Sequence, residues 1–234
     1  MIGAKEAKNR QYRMCFIAII ILLLILTYAI YGKSSEEPRV ILSLDGTYEQ
    51  MREKSNVGFS PLIAGEIWFG MPSSDAKLMF TDPQYGFTTK VARFFTVSFR
   101  DNIIQSIRMS PQIEPLLLDD ALSVVLDLQR QWQEGGWVAS NPYSDPPFED
   151  THQWRNKLRD INKGGRTFWQ AADKYQVMLL LNRFRDDKRP GEERYLITLA
   201  LAHPWVPGEL KQANIELKPY LCKKPCSNEV MESF

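Results

Sequence analysis

The residue types able to do chemistry are few in this chain, and their spacing favours structure over catalysis. Cys222 and Cys226 stand in Cys-Lys-Lys-Pro-Cys near the C-terminus. In an oxidising compartment such a pair closes a small disulfide loop; otherwise the two remain free thiols. A redox-active pair wants two intervening residues at a helix N-terminus, and three intervene here. A zinc site wants about four ligands, and no histidine lies nearby. The two histidines, His152 and His203, fall at the start of one predicted helix and the end of one predicted strand. Both read as surface or capping residues. No His-Glu-x-x-His, Gly-x-Ser-x-Gly, Gly-x-Gly-x-x-Gly or phosphate-loop pattern occurs. The acid pairs Asp119-Asp120, Asp186-Asp187 and Glu192-Glu193 are adjacent in sequence, whereas a glycosidase needs carboxylates facing each other across a cleft. The expectation is a non-enzymatic protein without metal or cofactor.

What remains is recognition chemistry. The six tryptophans, Trp68, Trp132, Trp137, Trp154, Trp169 and Trp205, fall near element ends and read mainly as packing residues. Trp137 and Trp205 lie beside proline-rich loops, and Tyr143 and Phe148 sit among Pro142, Pro146 and Pro147. Aromatics in such loops resemble interface anchors. Arg189 and Arg194 lie in a stretch of mixed charge that reads as a solvated hairpin tip. Candidate partner-binding residues are therefore Trp137, Tyr143, Phe148, Arg189, Arg194 and Trp205. The contact regions are the Asn141–Phe148 loop and the Lys188–Arg194 tip.

These residues need elements to hold them. Val40–Leu44 alternates like a short strand, and Asp45 or Thr47 caps a helix through Ser55 with Tyr48 and Met51 inward. Glu66–Gly70 and Lys77–Phe80 read as strands around the turn residues Pro72, Ser73, Ser74 and Asp75. Val91–Phe99, the Asp101-Asn102 turn and the run to Met109 predict an antiparallel hairpin. A helix follows from Pro115, carrying Leu118, Ala121, Leu122, Val125, Leu128 and Trp132 on its apolar side and ending at Gly135-Gly136. A second helix runs from Asp150 or Thr151 to Asn162 with Trp154, Leu158 and Ile161 inward, closed by Gly164-Gly165. Strands are expected over Thr167–Ala171, Tyr175–Phe184 and Tyr195–Ala202. The order excludes a Rossmann-type sheet. The fold class expected is α+β, with antiparallel β-hairpins packed against two main helices.

Ahead of this domain lies one sharp feature. No charge occurs from Met14 to Gly32. Nineteen helical residues span about 28 Å, the thickness of a bilayer's hydrocarbon core. Lys5, Lys8, Arg10 and Arg13 precede the segment against one acid, Glu6, and Tyr28 and Tyr31 lie at its far end. The positive-inside rule then keeps the N-terminus in the cytoplasm and sends residues 33–234 across; the expected place is the bacterial inner membrane, as a single-pass protein. Residues 1–13 form the tail, 14–32 the anchor, 33–38 a short linker and 39–234 a periplasmic domain. A cleaved signal peptide would have a shorter apolar core. The chain has no Asn-x-Ser/Thr acceptor, in keeping with a bacterial envelope.

The 234 residues carry 29 basic and 28 acidic side chains. That balance argues against a nucleic-acid partner. In general build, though on no specific motif, the chain resembles bitopic immunity proteins of bacterial toxin systems. The resemblance implies a toxin or effector as protein partner, neutralised by occlusion. A structural part of an envelope assembly or secretion complex is the alternative expectation.

Overall fold

The structure is a computed structural model that describes residues 16, 17, 19–23, 36–63 and 65–206. Residues 16, 17 and 19–23 are helical and exposed; the rest of the expected anchor lies outside the described residues, as do Cys222 and Cys226. No helix among the described residues is long and apolar enough to cross a membrane. The chain divides into two units, Met1–Glu37 and Pro38–Phe234. The second unit is α+β.

Its short first strand β1 (Arg39–Leu42) leads into α1 (Tyr48–Lys54). The capping residue is Thr47, whose hydroxyl accepts from the Gln50 N–H while the Gln50 side chain accepts from the Thr47 N–H. Tyr48 and Met51 are buried, as expected. Strands β2 (Ile67–Gly70) and β3 (Lys77–Phe80) follow, then β4 (Phe87–Thr88). The strands β2 and β3 do not pair. The first joins a seven-stranded sheet, the second a three-stranded sheet of order β1-β3-β4. Pro72 lacks the N–H a continuing ladder needs, and the chain changes sheets there. In the small sheet β1 and β3 run parallel, with Val40 opposite Leu78, against the expectation of antiparallel pairs throughout.

The large sheet is antiparallel. Strands β5 (Phe95–Arg100) and β6 (Ile103–Met109) form the expected hairpin. Its turn residues Asp101 and Asn102 both take left-handed backbone (φ 48° and 72°), which gives the turn the twist of the flanking strands. Helix α2 (Leu118–Glu134) buries Leu118, Ala121, Leu122, Val125, Leu128 and Trp132, and Gly136 (φ 82°) follows its cap. After the short strand β7 (Val138–Ala139), helix α3 (His152–Arg159) is capped by the Thr151 hydroxyl. It ends three residues earlier than expected. The Asp160 carboxylate accepts from the Asn162 N–H at 3.0 Å, a local turn that competes with the helix and leaves Ile161 exposed.

Strands β8 (Gly165–Ala171), β9 (Tyr175–Phe184) and β10 (Arg194–Ala202) complete the sheet, in order β2-β5-β6-β10-β9-β8-β7. The two hairpin systems meet where β10 pairs with β6. Gly164-Gly165 does not close α3. A Cβ on Gly165 would stand 2.2 Å from the Phe148 ring, and Gly164 (φ 114°) lies against the Asn182 side chain. These glycines let a backbone pass close to packed side chains.

One side of the large sheet carries the core. Val97, Phe99, Ile107, Val177, Leu179, Leu181, Ile197 and Leu199 are all buried. Trp132 of α2 packs beside Trp169, Phe87 and Trp137, and Phe80 of the small sheet meets Tyr175 edge-on at 5.1 Å. Gln129 is also buried on α2. Its amide donates to the Phe148 carbonyl and accepts from the Phe148 N–H, both at 2.8 Å. Gln129→Ala strands both groups, and each costs about 1–3 kcal/mol. Urea unfolding of this variant is expected to show a loss of about 2–6 kcal/mol, with hydrogen exchange at Phe148 accelerated beyond the global change.

Candidate functional site

Five of the six tryptophans are buried, Trp137 among them. Its indole N–H donates to the Tyr85 carbonyl at 3.2 Å, and its ring lies among Tyr85, Phe87, Trp132 and Tyr175. Phe148 is buried against Trp154, with ring centroids 5.0 Å apart. Both were expected as loop contacts. The structure corrects this: they anchor the loop from beneath, because the α2–α3 connection folds back over the sheet edge. Tyr143 is the loop's outward aromatic, 91% exposed. Trp205 is 44% exposed, its ring edge-on to Phe168. The loop is held by Arg166, which donates to both oxygens of Asp145 at 2.9 and 3.3 Å.

The Lys188–Arg194 tip is more ordered than a solvated turn. Asp186 is buried, accepting from the Lys188 N–H at 3.0 Å and the Arg189 guanidinium at 2.8 Å. The Arg189 hydrogen bond holds the Asp186 carboxyl below the usual carboxylate range. Arg189 also reaches Glu114 at 3.2 Å, pinning the tip to the segment before α2. Arg194 pairs with Glu192 and donates to the Pro115 carbonyl.

Between this tip, the start of α2 and the outer side of α3 lies a cleft of about 490 Å³. It is lined by Leu117, Leu118, Asp119, Arg155, Arg159, Glu192, Glu193 and Arg194. Arg155 grips Asp150 with two nitrogens and Asp119 with a third. The hydrogen bond from Arg155 keeps Asp150 ionised well below its ordinary range, and the two carboxylates keep Arg155 charged. Arg159 lies 3.6 Å from Glu193, which Arg183 approaches at 3.8 Å and the Tyr195 hydroxyl at 3.3 Å. Three guanidiniums and three carboxylates thus line the cleft over the two leucines. Such a surface can recognise charged side chains by exchanging ion pairs.

A second polar cluster lies where β10 ends. Tyr175 donates to Asp82 at 3.0 Å, and His203 bridges the Lys174 carbonyl and Asp45, both at 3.0 Å. Burial and then Asp82 push the Tyr175 hydroxyl up to about 12, so it stays a donor at neutral pH. Partial burial opposes ionisation of Asp82, but the Tyr85 and Gln84 N–H groups and Tyr175 hold it below its usual range. The cluster ties the β8–β9 turn to the turns after β1 and β3. Among the described residues, no three His, Cys, Asp or Glu side chains come together as a metal requires.

Two measurements separate scaffold from surface. Phe148→Ala is expected to cost about 3–5 kcal/mol in thermal unfolding, and Tyr143→Ala less than about 0.5 kcal/mol. His203 faces two oxygen acceptors, and both its nitrogens donate at once only as imidazolium. The Asp45 hydrogen bond raises its pKa accordingly. Its stabilising contribution is full below the ordinary histidine value of 6.5 and is lost as pH rises through the raised folded value. Asp45→Asn should therefore lower Tm at about pH 5.5 and leave it nearly unchanged at about pH 9. No family model, curated protein or solved structure matches this chain.

Proposed function

We propose that this is a single-pass bacterial inner-membrane protein whose periplasmic domain binds a protein partner without catalysis, as an immunity protein neutralises a toxin or effector by occlusion. The observation that carries the reading is the Arg155–Arg159–Arg194 cleft. It is built from paired guanidiniums and carboxylates on two helices and a pinned hairpin tip, over an apolar floor. The sequence supports the anchor over residues 14–32 and the periplasmic side for residues 33–234.

Binding proceeds by ion-pair exchange. An incoming basic side chain takes Glu192 or Glu193 from its arginine, and an incoming acid takes the freed guanidinium. Leu117, half-exposed at the mouth, and Leu118 supply apolar contact once water leaves. Because the native pairs already satisfy these charges, a partner of unmatched charge leaves some unpaired and is rejected.

The test is affinity purification of the tagged full chain from the envelope of its own host, followed by co-expression with the recovered protein. One stoichiometric exported partner whose toxicity the chain suppresses is expected. Recovery of several cell-wall or division components instead overturns the immunity reading. Arg159→Glu with Arg194→Glu is expected to weaken that partner about tenfold or more, chiefly in association rate and with a changed salt dependence. Unchanged affinity removes the cleft from the interface.

A further inference from the structure

The outward side of β2 and β5 carries an apolar patch that the core does not explain. Alternation along β2 turns Ile67 and Phe69 outward, 61% and 69% exposed, with Met71 next at 55%. On β5 the outward positions are Phe94, 47% exposed just before the strand, then Thr96, Ser98 and Arg100. Register sets Ile67 opposite Arg100 and Phe69 opposite Ser98 and ends at Gly70 opposite Val97, with Met71 the next residue along the chain. Phe94, just before β5, and Met71, just after β2, flank the same end of this antiparallel pair. Four large apolar side chains therefore form one stripe.

Within the strands that carry the stripe the charge has one sign. Strands β2, β5 and β6 contain no acidic residue, and their outward side bears Arg100 and Arg108, both exposed. Glu66 and Asp101, the acids that flank these strands, lie together at the β5–β6 turn end. At the other end, Asp75 is paired with Arg93 at 3.4 Å. Aromatic and aliphatic side chains backed by exposed arginines match the chemistry of an anionic lipid surface: apolar groups enter the headgroup boundary and guanidiniums meet phosphates.

The chain also enters the domain beside this patch. The Pro38 carbonyl accepts from the Lys77 N–H at 3.0 Å. The preceding residue, Ala76, pairs with Ala92 through bonds of 3.1 and 2.9 Å, two residues before Phe94. Arg39 exchanges bonds with Asn56, and Ser60, four residues on, bonds Met71. From Gly32 to Pro38 the chain reaches about 20 Å at most.

We infer that the Ile67–Phe69–Met71–Phe94 stripe, with Arg100 and Arg108, docks the domain on the anionic bilayer that holds its own anchor. This rests on the anchor reading above. Docking fixes the domain's orientation and leaves its other surfaces to a partner.

The full chain, with Cys15, Cys222 and Cys226 replaced by Ser, is placed one copy per nanodisc. The discs contain phosphatidylethanolamine with phosphatidylglycerol, or phosphatidylcholine alone. An environment-sensitive fluorophore is attached through Phe69→Cys or, as control, Tyr143→Cys. The expected result is a blue-shifted Phe69→Cys label, quenched by headgroup spin-labelled lipid in the anionic discs, with the control label water-like. Arg100→Gln and Arg108→Gln should each lower the docked-to-undocked ratio about fivefold. Unlabelled wild-type chain should show slower hydrogen exchange across β2 in anionic than in zwitterionic discs, an answer independent of the substitutions. A water-like label and lipid-independent exchange overturn the inference. So does a blue shift that appears only as several copies share a vesicle, which assigns the stripe to a second copy. Extraction of the chain from vesicles by alkaline carbonate overturns the anchor instead. The label then still answers for the stripe: quenching by added anionic vesicles supports it, and a water-like label overturns it.

Discussion

The domain depends on the seam between β6 and β10, because that pairing alone joins its two hairpin systems into one sheet. The seam is short. Backbone register runs from Leu199 opposite Met109 to Ala202 opposite Ser106. Beyond Met109 the chain leaves the sheet, while β10 continues back to Arg194. The exposed ladder is closed by a side chain. Gln112, buried, accepts from the Ile197 N–H at 2.8 Å and donates to the Tyr195 carbonyl at 3.0 Å. Ser110 donates to the Ile197 carbonyl at 2.6 Å, and Leu116 resumes backbone pairing with Tyr195. A carboxamide has the same donor and acceptor as a peptide unit, so one glutamine stands in for a missing residue of strand.

The same substitution recurs at three further places. Gln129 pairs with both backbone groups of Phe148, and Gln131 with both of Thr88 at 2.9 and 3.0 Å. Gln176 accepts from the Trp205 and Val206 N–H groups and donates to the Val206 carbonyl. Each net hydrogen bond contributes only about 1 kcal/mol, but an unpaired buried backbone group costs more than that. The glutamines therefore matter chiefly as insurance against unpaired groups, and they fix where loops must lie. By holding Phe148, Gln129 places the α2–α3 connection. By holding Tyr195 and Ile197, Gln112 places the base of the hairpin whose tip lines the charged cleft. The hairpin side of the cleft is thus placed from the seam, while the ion pairs that line it are part-exposed and individually weak.

Much of this order can be read from local pattern. The β5–β6 hairpin, the apolar stripe of α2, the Thr47 and Thr151 caps and the bounds of β9 follow from period, capping and turn chemistry. What could not be read depends on long-range packing. Nothing local distinguishes a β2–β3 hairpin from two strands in separate sheets, and nothing local makes β1 pair parallel with β3. Trp137 and Phe148 carry loop-like neighbours, so their burial depends on α2 and β8 arriving beneath them. Gly164-Gly165 looks like a helix stop until Phe148 and Asn182 occupy the space. One buried contact does leave a local trace: the stripe Leu118, Leu122, Val125, Trp132 has Gln129 at its missing place. A polar residue at a core position announces a buried backbone partner. Of the cleft's three arginines the sequence marks only Arg194, with Arg189 near it on the tip; Arg155 and Arg159 sit on a helix face that reads as ordinary solvated charge.

The two surfaces that stand apart from the core differ in how their charge is settled. In the cleft each lining arginine has a carboxylate of the same domain within 3.6 Å, so a ligand gains little by adding charge and must trade pairs. Such a surface discriminates more than it attracts, since a mismatched partner leaves a guanidinium or carboxylate without its counter-ion. The β2–β5 stripe is the reverse. Arg100 and Arg108 sit on strands without a single acid, beside side chains that water solvates poorly. A surface of that kind attracts broadly, with affinity from apolar area and long-range charge, and reads shape hardly at all. The proposed partner contact and the inferred bilayer contact thus fall on surfaces of opposite charge economy. The separation follows from strand composition, because the acids that neutralise the cleft come from loops and helix starts, elements that β2, β5 and β6 do not contribute.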